Sequence, residues 1–279
     1  MTRNKVGLAA GCALILAWCL LPVVWIISLS FKSESAITAG SPGFLPQGGA
    51  GFAGFSNYVS VLQDEQFRRS IFNSIGICLI ATFISVFLSM FAAYAIARLD
   101  FPGKKLILGT ALGVAIFPVI SIVTPLFNLW RQIGLYDTWP GLIIPYLSLT
   151  LPLSIWTMSA FFREIPWEME QAAQVDGATT WQAFRKVIVP LAAPGVFTTA
   201  IIAFFIAWND FVYGISLTST GASRPVPAAL GLFSGASQFE DPTGAIAAAA
   251  VIVTIPVVIL VLVFQRRIVA GLTNGAVKG

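Results

Sequence analysis

Histidine is absent from the 279-residue chain, which removes the commonest metal ligand and general base from any site it could build. Cysteine is scarce. Cys12, Cys19 and Cys78 all lie inside apolar runs, where a thiol behaves as a small hydrophobe and not as half of a disulfide or a metal ligand. No G-x-x-x-x-G-K-[ST] phosphate loop occurs, since Gly103-Lys104-Lys105 lacks both the upstream glycine and the hydroxyl residue. Charge is sparse as well: 10% of residues are charged, and no paired carboxylates sit inside the apolar segments. An acid/base constellation therefore cannot be assigned, and a membrane enzyme is the least favoured class. The net charge of +4 is small, and no nucleic-acid partner is expected.

What the chain has in excess is apolar surface. Hydrophobic residues make up 57% of it and the mean hydropathy is +0.86, beyond what a water-soluble domain can hide. Divided by the length that crosses a bilayer, the sequence predicts an all-α integral membrane protein of six transmembrane helices, over about 6–31, 71–97, 105–129, 138–162, 196–218 and 243–265. The first run is too long for a signal h-region and ends in Lys32-Ser33-Glu34 without a small-residue cleavage site, so it reads as a retained helix. Residues 32–69 are rich in Gly, Pro, Ser and aromatics and form a loop with no span. Pro118, Pro125 and Pro256 predict kinks inside their helices.

Lysine and arginine divide eleven to five between the two sides, which places both termini in the cytoplasm and the segments 32–69 and 219–242 outside.

Between the fourth and fifth spans lies a polar stretch, 163–194, too patterned to be a passive loop. A first short helix starts at Pro166, with Glu168 and Glu170 near its positive end, and stops at Gly177. Ala172 and Ala173 give it a low-profile face that can lie against another protein. A second helix starts near Thr179, with Gln182 completing a capping-box pattern, and ends at Pro190.

The run Glu170-Gln171-Ala172-Ala173-Gln174-Val175-Asp176-Gly177-Ala178, followed by Phe184, Ile188, Pro190 and Pro194, resembles the EAA loop of bacterial ABC importer permeases. The resemblance extends over essentially the whole chain, including Ala97-Arg98-Leu99-Asp100-Phe101-Pro102-Gly103, Trp208-Asn209-Asp210-Phe211 and the tail from Gly271 to Gly279. It points to carbohydrate permeases of the maltose-transporter MalG type, and the wording is similar to actinobacterial, especially mycobacterial, trehalose-type permeases of the SugB kind.

The resemblance implies a type I ABC importer permease fold with a cytoplasmic coupling helix. It implies a bacterial plasma-membrane complex of two permeases, the second a different chain, with two cytoplasmic ATPases and an extracytoplasmic sugar-binding protein. This chain would carry no cofactor; ATP and Mg would be bound by the ATPase partner. The residues implied for ATPase coupling are Glu168, Glu170, Gln171, Ala172, Ala173, Asp176, Gly177 and Ala178. The family's glutamate aligns with Gln171, leaving Glu170 or Glu168 to supply the negative charge. Trp208, Asn209 and Asp210 are candidates for the sugar pathway, with an interhelical packing bond as the alternative for the polar pair. The tail Asn274, Gly275, Ala276, Val277, Lys278 and Gly279 is implied to dock between the ATPases. The implied activity is ATP-driven import of a di- or oligosaccharide such as trehalose or maltose. An ion-coupled secondary transporter is the alternative, disfavoured because Asp210 is the one carboxylate well inside a span.

Overall fold

The computed structural model describes residues 2–39, 51–233 and 242–276, with side chains over 6–39, 51–233 and 242–264. In chain order the helices are α1 (Thr2–Ser30), α2 (Glu34–Thr38), α3 (Ser56–Gln63) and α4 (Glu65–Arg98). There follow α5 (Lys104–Ala115), α6 (Val119–Ile133), α7 (Trp139–Glu164), α8 (Trp167–Val175) and α9 (Thr180–Ala183). The chain ends with α10 (Val189–Leu191), α11 (Ala193–Trp208), α12 (Val212–Leu217), α13 (Val226–Gly231) and α14 (Thr243–Ala276).

Among the described residues four helices are long and apolar enough to cross a membrane, at Val6–Ser30, Glu65–Arg98, Trp139–Glu164 and Thr243–Phe264; the count reaches six if each of two bent pairs is one span. Those pairs change two expectations. The run expected as one kinked third helix is α5 and α6 meeting at 85°. The break falls before Pro118, which cannot donate to the preceding turn, whereas Pro125 sits inside α6 without ending it. The second pair joins 180–191 to α11 at 71°, so the helix expected to stop at Pro190 runs to Leu191 and turns directly into the fifth apolar run. That run is itself interrupted: α11 ends at Trp208, and α12 resumes only at Val212. The last helix does not end at the membrane boundary near 265, because its backbone continues through Asn274, Gly275 and Ala276. Val277, Lys278 and Gly279 lie outside the described residues.

The chain divides into two compact units. In the first, Met1–Arg68 with Ala229–Pro256, α1 is apolar all round and almost wholly exposed, the pattern of a helix meant for lipid or for other helices. Among the described residues it is the C-terminal end that is fastened. The Asn57 amide donates to the carbonyls of Ser30 and Lys32 at 2.9 and 3.0 Å, and Ser30 Oγ lies 2.6 Å from Tyr58 Oη. Glu34 accepts from the first amides of α14, Thr243 and Gly244, at 3.3 Å each, a carboxylate at a positive helix end.

The second unit, Arg69–Ala228 with Val257–Gly279, packs α4, α7 and α11 around a core of Val86, Ala93, Met158, Phe162, Phe184, Ile188 and Ala192. Proline is accommodated here by substitution of donors. Pro145 removes the amide that would reach the Gly141 carbonyl, and the Trp130 indole N–H fills that place at 2.6 Å. At one end of the unit, Asp137 holds the strap 218–224. Its carboxylate accepts from the Ser219 and Thr220 amides and from the hydroxyls of Ser219, Thr220 and Ser223 at 2.6–3.3 Å. Asp137 adopts φ +57°, a left-handed conformation that Asp and Asn tolerate best among residues with a side chain.

Burial alone would push the Asp137 carboxyl up, but the hydrogen bonds from Thr220, Ser223 and the strap amides outweigh it and hold it below the usual carboxylate range. A depressed folded-state value contributes stability that is fully present above the unfolded value, about 4, and is lost as pH falls through the lower folded value. Asp137→Asn, which keeps the backbone conformation, is therefore predicted to lower the melting temperature in detergent by a constant amount at neutral pH. The gap between variant and wild type should close as the solution is acidified below pH ~4; a pH-independent gap would show that the charge does not hold the strap.

Candidate functional site

The segment between α7 and α11 is built to a fixed angle. Pro166 precedes the first residue of α8, and the helix ends in a Schellman arrangement: the Ala178 amide donates to the Ala173 carbonyl at 2.9 Å and the Gly177 amide to the Gln174 carbonyl at 3.0 Å. Gly177 carries the required left-handed backbone, φ +87°, and a β-carbon built on it would touch nothing within 4 Å. Its constraint is conformational and not one of close packing. Immediately after, Thr179 Oγ1 accepts from the Gln182 amide while Gln182 Oε1 accepts from the Thr179 amide, the capping box read from the sequence. The chain then passes through a π-helical turn, Phe184–Ile188, whose Phe184 and Ile188 enter the core.

Two faces of α8 differ sharply. Glu168, Gln171, Ala172 and Asp176 are exposed and Ala173 and Ala178 half-buried, while Val175 and Trp181 leave 87% and 56% of their surface to solvent. Glu170 turns the other way. It is 3% exposed and accepts a 2.5 Å hydrogen bond from Tyr94 Oη on α4. Arg98, one helical turn further along α4, is equally buried. Its Nη2 donates to the Ile165 carbonyl at 2.7 Å, its guanidinium lies 4.7 Å over the Trp167 ring, and its Nε is 3.8 Å from Glu170 Oε2. That last distance is beyond a hydrogen bond, so the two charges attract across a gap, and Glu170 Oε2 and Arg98 Nε make no hydrogen bond among the described residues. Aromatic rings close the cluster: Tyr94 lies 4.8 Å from Phe184 and 6.2 Å from Phe162, both edge-on. Sequence reading missed Tyr94 and Trp167. The available signal was the four-residue spacing of Tyr94 and Arg98, which puts both on one face of α4.

The second candidate group lies at the helix break. Trp208 is buried and stacks on Phe204 of its own helix at 5.3 Å, Asn209 is exposed and donates back to the Phe205 carbonyl at 2.9 Å, and Asp210 is half-buried. Asp210 accepts from the Gly214 amide at 3.0 Å and the Tyr213 amide at 3.4 Å, so it caps α12. Asn209 and Asp210 thus share the break, and Trp208 belongs to the packed interior. Among the described residues no three His, Cys, Asp or Glu side chains cluster as metal ligands.

A family model for the binding-protein-dependent transport system inner membrane component matches residues 85–274, which include α8, the Schellman turn and the helix break. The chain belongs to this family. Over 266 residues it is 56% identical to the trehalose transport system permease protein SugB of Mycobacterium tuberculosis, covering 95% of each chain. It is 38% identical to the trehalose/maltose transport system permease protein MalG of Thermococcus litoralis, covering 99% of this chain and 98% of that one. A crystal structure of a bacterial ABC transporter involved in the import of the polysaccharide alginate superposes with a TM-score of 0.78 at 26% identity, covering 95% and 96% of the two chains. The fold is that of an ABC importer permease, and membership displaces the ion-coupled alternative.

The burial of Glu170 makes a prediction independent of transport. Removing one member of a buried ion pair costs about 3–5 kcal/mol, because its partner is left uncompensated. Arg98→Ala should destabilise the folded chain by that order and expose α8 amides to hydrogen exchange. Tyr94→Phe, which deletes one hydrogen bond to a charged acceptor, should cost about 1.5–3 kcal/mol. Unchanged exchange in α8 for both variants would show that the cluster does not anchor the helix.

Proposed function

We propose that this chain is the permease subunit of an ATP-driven importer for a disaccharide of the trehalose and maltose class. In this reading it works with a second, different permease, two cytoplasmic ATPases that bind ATP and Mg, and an extracytoplasmic sugar-binding protein. The observation that carries the reading is the two-faced α8: an exposed face of small, polar and stray apolar residues, and an opposite face bolted to a membrane helix by Glu170, Tyr94 and Arg98. The names of the trehalose and maltose permeases that this chain resembles support the substrate class. The lysine and arginine distribution supports six spans with both termini in the cytoplasm of a bacterial plasma membrane.

The roles divide by face. Glu168, Gln171, Ala172, Ala173, Asp176, Gly177 and Ala178 form or shape the surface that enters an ATPase cleft. Glu170 holds that surface to α4 and does not itself face the ATPase. Closure of the ATPases displaces α8, and the buried pair passes the displacement to α4 as a rigid-body movement, a form of alternating access. Asn209 and Asp210, at a break where backbone and side-chain polar groups meet inside the membrane, serve the sugar pathway, with Trp208 as packing behind them. The tail from Asn274 to Gly279 docks between the ATPases.

The test uses the complete complex in proteoliposomes. Labelled trehalose should accumulate only with ATP inside the compartment that holds the ATPases; accumulation driven by an ion gradient without ATP would overturn the reading. Gly177 adds a graded test. A side chain in the left-handed region costs about 1–2 kcal/mol, most for a β-branched residue and least for Asn. Sugar uptake per ATP hydrolysed should fall in the order Gly, Asn, Ala, Val, with Gly177→Val lowered on the order of tenfold. Equal coupling ratios across the series would remove the turn from the mechanism.

A further inference from the structure

Where α4 ends, α5 begins and α7 ends, the chain encloses a half-open cavity of about 260 Å³ lined by Ile96, Ala97, Lys104, Lys105, Leu108 and Arg163. Three of the six lining residues are basic and three apolar, and the lining surface itself is mostly carbon, the aliphatic stems of the basic residues included. Lys104 is already engaged, its Nζ donating to Asp100 Oδ1 at 2.9 Å and to the Leu99 carbonyl at 3.1 Å. Lys105 and Arg163 have no ion-pair partner among the described residues. Both are solvent-exposed and border the same cavity, so each is available to an anion bound there. The backbone adds to this, because α5 starts from Gly103, which offers no capping side chain, and has no acidic residue in its first turn. Positive side chains at a positive helix end are unfavourable until an anion arrives.

The apolar part of the lining restricts what that anion can be. A freely dissolved phosphate would gain nothing from Ile96, Ala97 and Leu108. On the same turn of α5, Leu106 and Ile107 are exposed by 74% and 56%, continuing apolar surface away from the cations. A ligand that is anionic at one end and aliphatic at the other satisfies both. We propose that the cavity binds an anionic phospholipid, with Lys105 and Arg163 holding the headgroup phosphate and Ile96, Ala97 and Leu108 receiving the start of the acyl chains. Basic pockets between membrane helices at the headgroup level have this chemistry. The proposal rests on the membrane placement given above, but not on the identity of the transported sugar. It also places the lipid beside the coupling segment: Arg163 is two residues from Ile165, whose carbonyl Arg98 grips.

The test is lipid retention by the full complex, assembled in nanodiscs of phosphatidylcholine containing a minor fraction of phosphatidylglycerol and released for native mass spectrometry. Wild type should retain phosphatidylglycerol in preference to phosphatidylcholine. The Lys105→Gln, Arg163→Gln double variant should lose that preference on the order of tenfold, whereas the charge-conserving Lys105→Arg, Arg163→Lys pair retains it. Arg131→Gln, at the far end of α6, should change nothing. If the double variant does not assemble, Arg163→Gln alone, an exposed side chain, should give a partial loss. Equal retention in wild type and the glutamine variants overturns the site. Displacement of the lipid by millimolar inorganic phosphate overturns the lipid reading in favour of a small-anion site. Because retention is read without transport, a complex that fails to move trehalose can still pass or fail this test.

Discussion

A carboxylate taken out of water must be balanced, and the arrangement of α8 and its neighbours follows from how Glu170 achieves it. One oxygen takes the Tyr94 hydroxyl; the other faces Arg98 at a distance that supplies attraction without a hydrogen bond. Arg98 is itself buried, and it is kept in place by the Ile165 carbonyl and the Trp167 ring. Each of these partners fixes another element. Ile165 and Trp167 flank Pro166, so the entry angle of α8 is set by the same guanidinium that balances Glu170. α4 has 34 residues, about 50 Å at the helical rise, which exceeds a hydrocarbon core of roughly 30 Å. At the end of so long a helix, packed against α8, the two charges are buried in protein.

The membrane part answers a different constraint, the need to satisfy every backbone carbonyl where no water is available. Straight helices do this by themselves, and the departures from straightness each recruit a side chain. Trp130 serves the carbonyl that Pro145 leaves open. Asn209 donates back into α11, and Asp210 accepts from the first amides of α12. The same side chains that mend the break are polar and partly accessible, and this is what makes the break a candidate for the proposed sugar pathway.

Local chemistry was legible in the sequence and relative orientation was not. The apolar runs marked the long apolar helices, Gly177 marked its own stop, and Thr179 with Gln182 announced the next helix, because each of these signals is local in the sequence. Glu170 and Glu168 were left as equivalents, since choosing between them requires knowing which face of α8 meets Tyr94, some seventy-six residues earlier. Pro118 and Pro125 looked alike in sequence, yet one stands at an 85° turn and the other inside a continuing helix. Proline forbids a donor; tertiary packing decides whether the chain bends. Trp208 read as a partner of Asn209 and Asp210 because it is adjacent, but a 100° step around the helix separates neighbours and sends it into the core. The Asp137 cluster gave no sequence signal, since its five donors come from a strap eighty-two residues or more away.

The stiffness of the parts then fits the proposed task. Between α8 and α9 the turn is over-determined, with a Schellman pair and a reciprocal capping box within ten residues, Ala173 to Gln182. Nothing there can absorb a push. The residues after it lead through Phe184 and Ile188 into the core shared with α4 and α7, and then through a 71° bend into α11. In the proposed coupling, a displacement of α8 would reach two membrane helices by two routes: directly into α4 through a buried charge pair, and into α11 through the packed aromatic residues of the π-helical turn. Two such routes from one lever would make α4 and α11 move together, and the break at Asn209 and Asp210 at the end of α11 lies on the second of them. A polar site placed at the end of a driven helix, and at an interruption that separates it from α12, changes its surroundings when the lever moves even if no side chain on it titrates or turns.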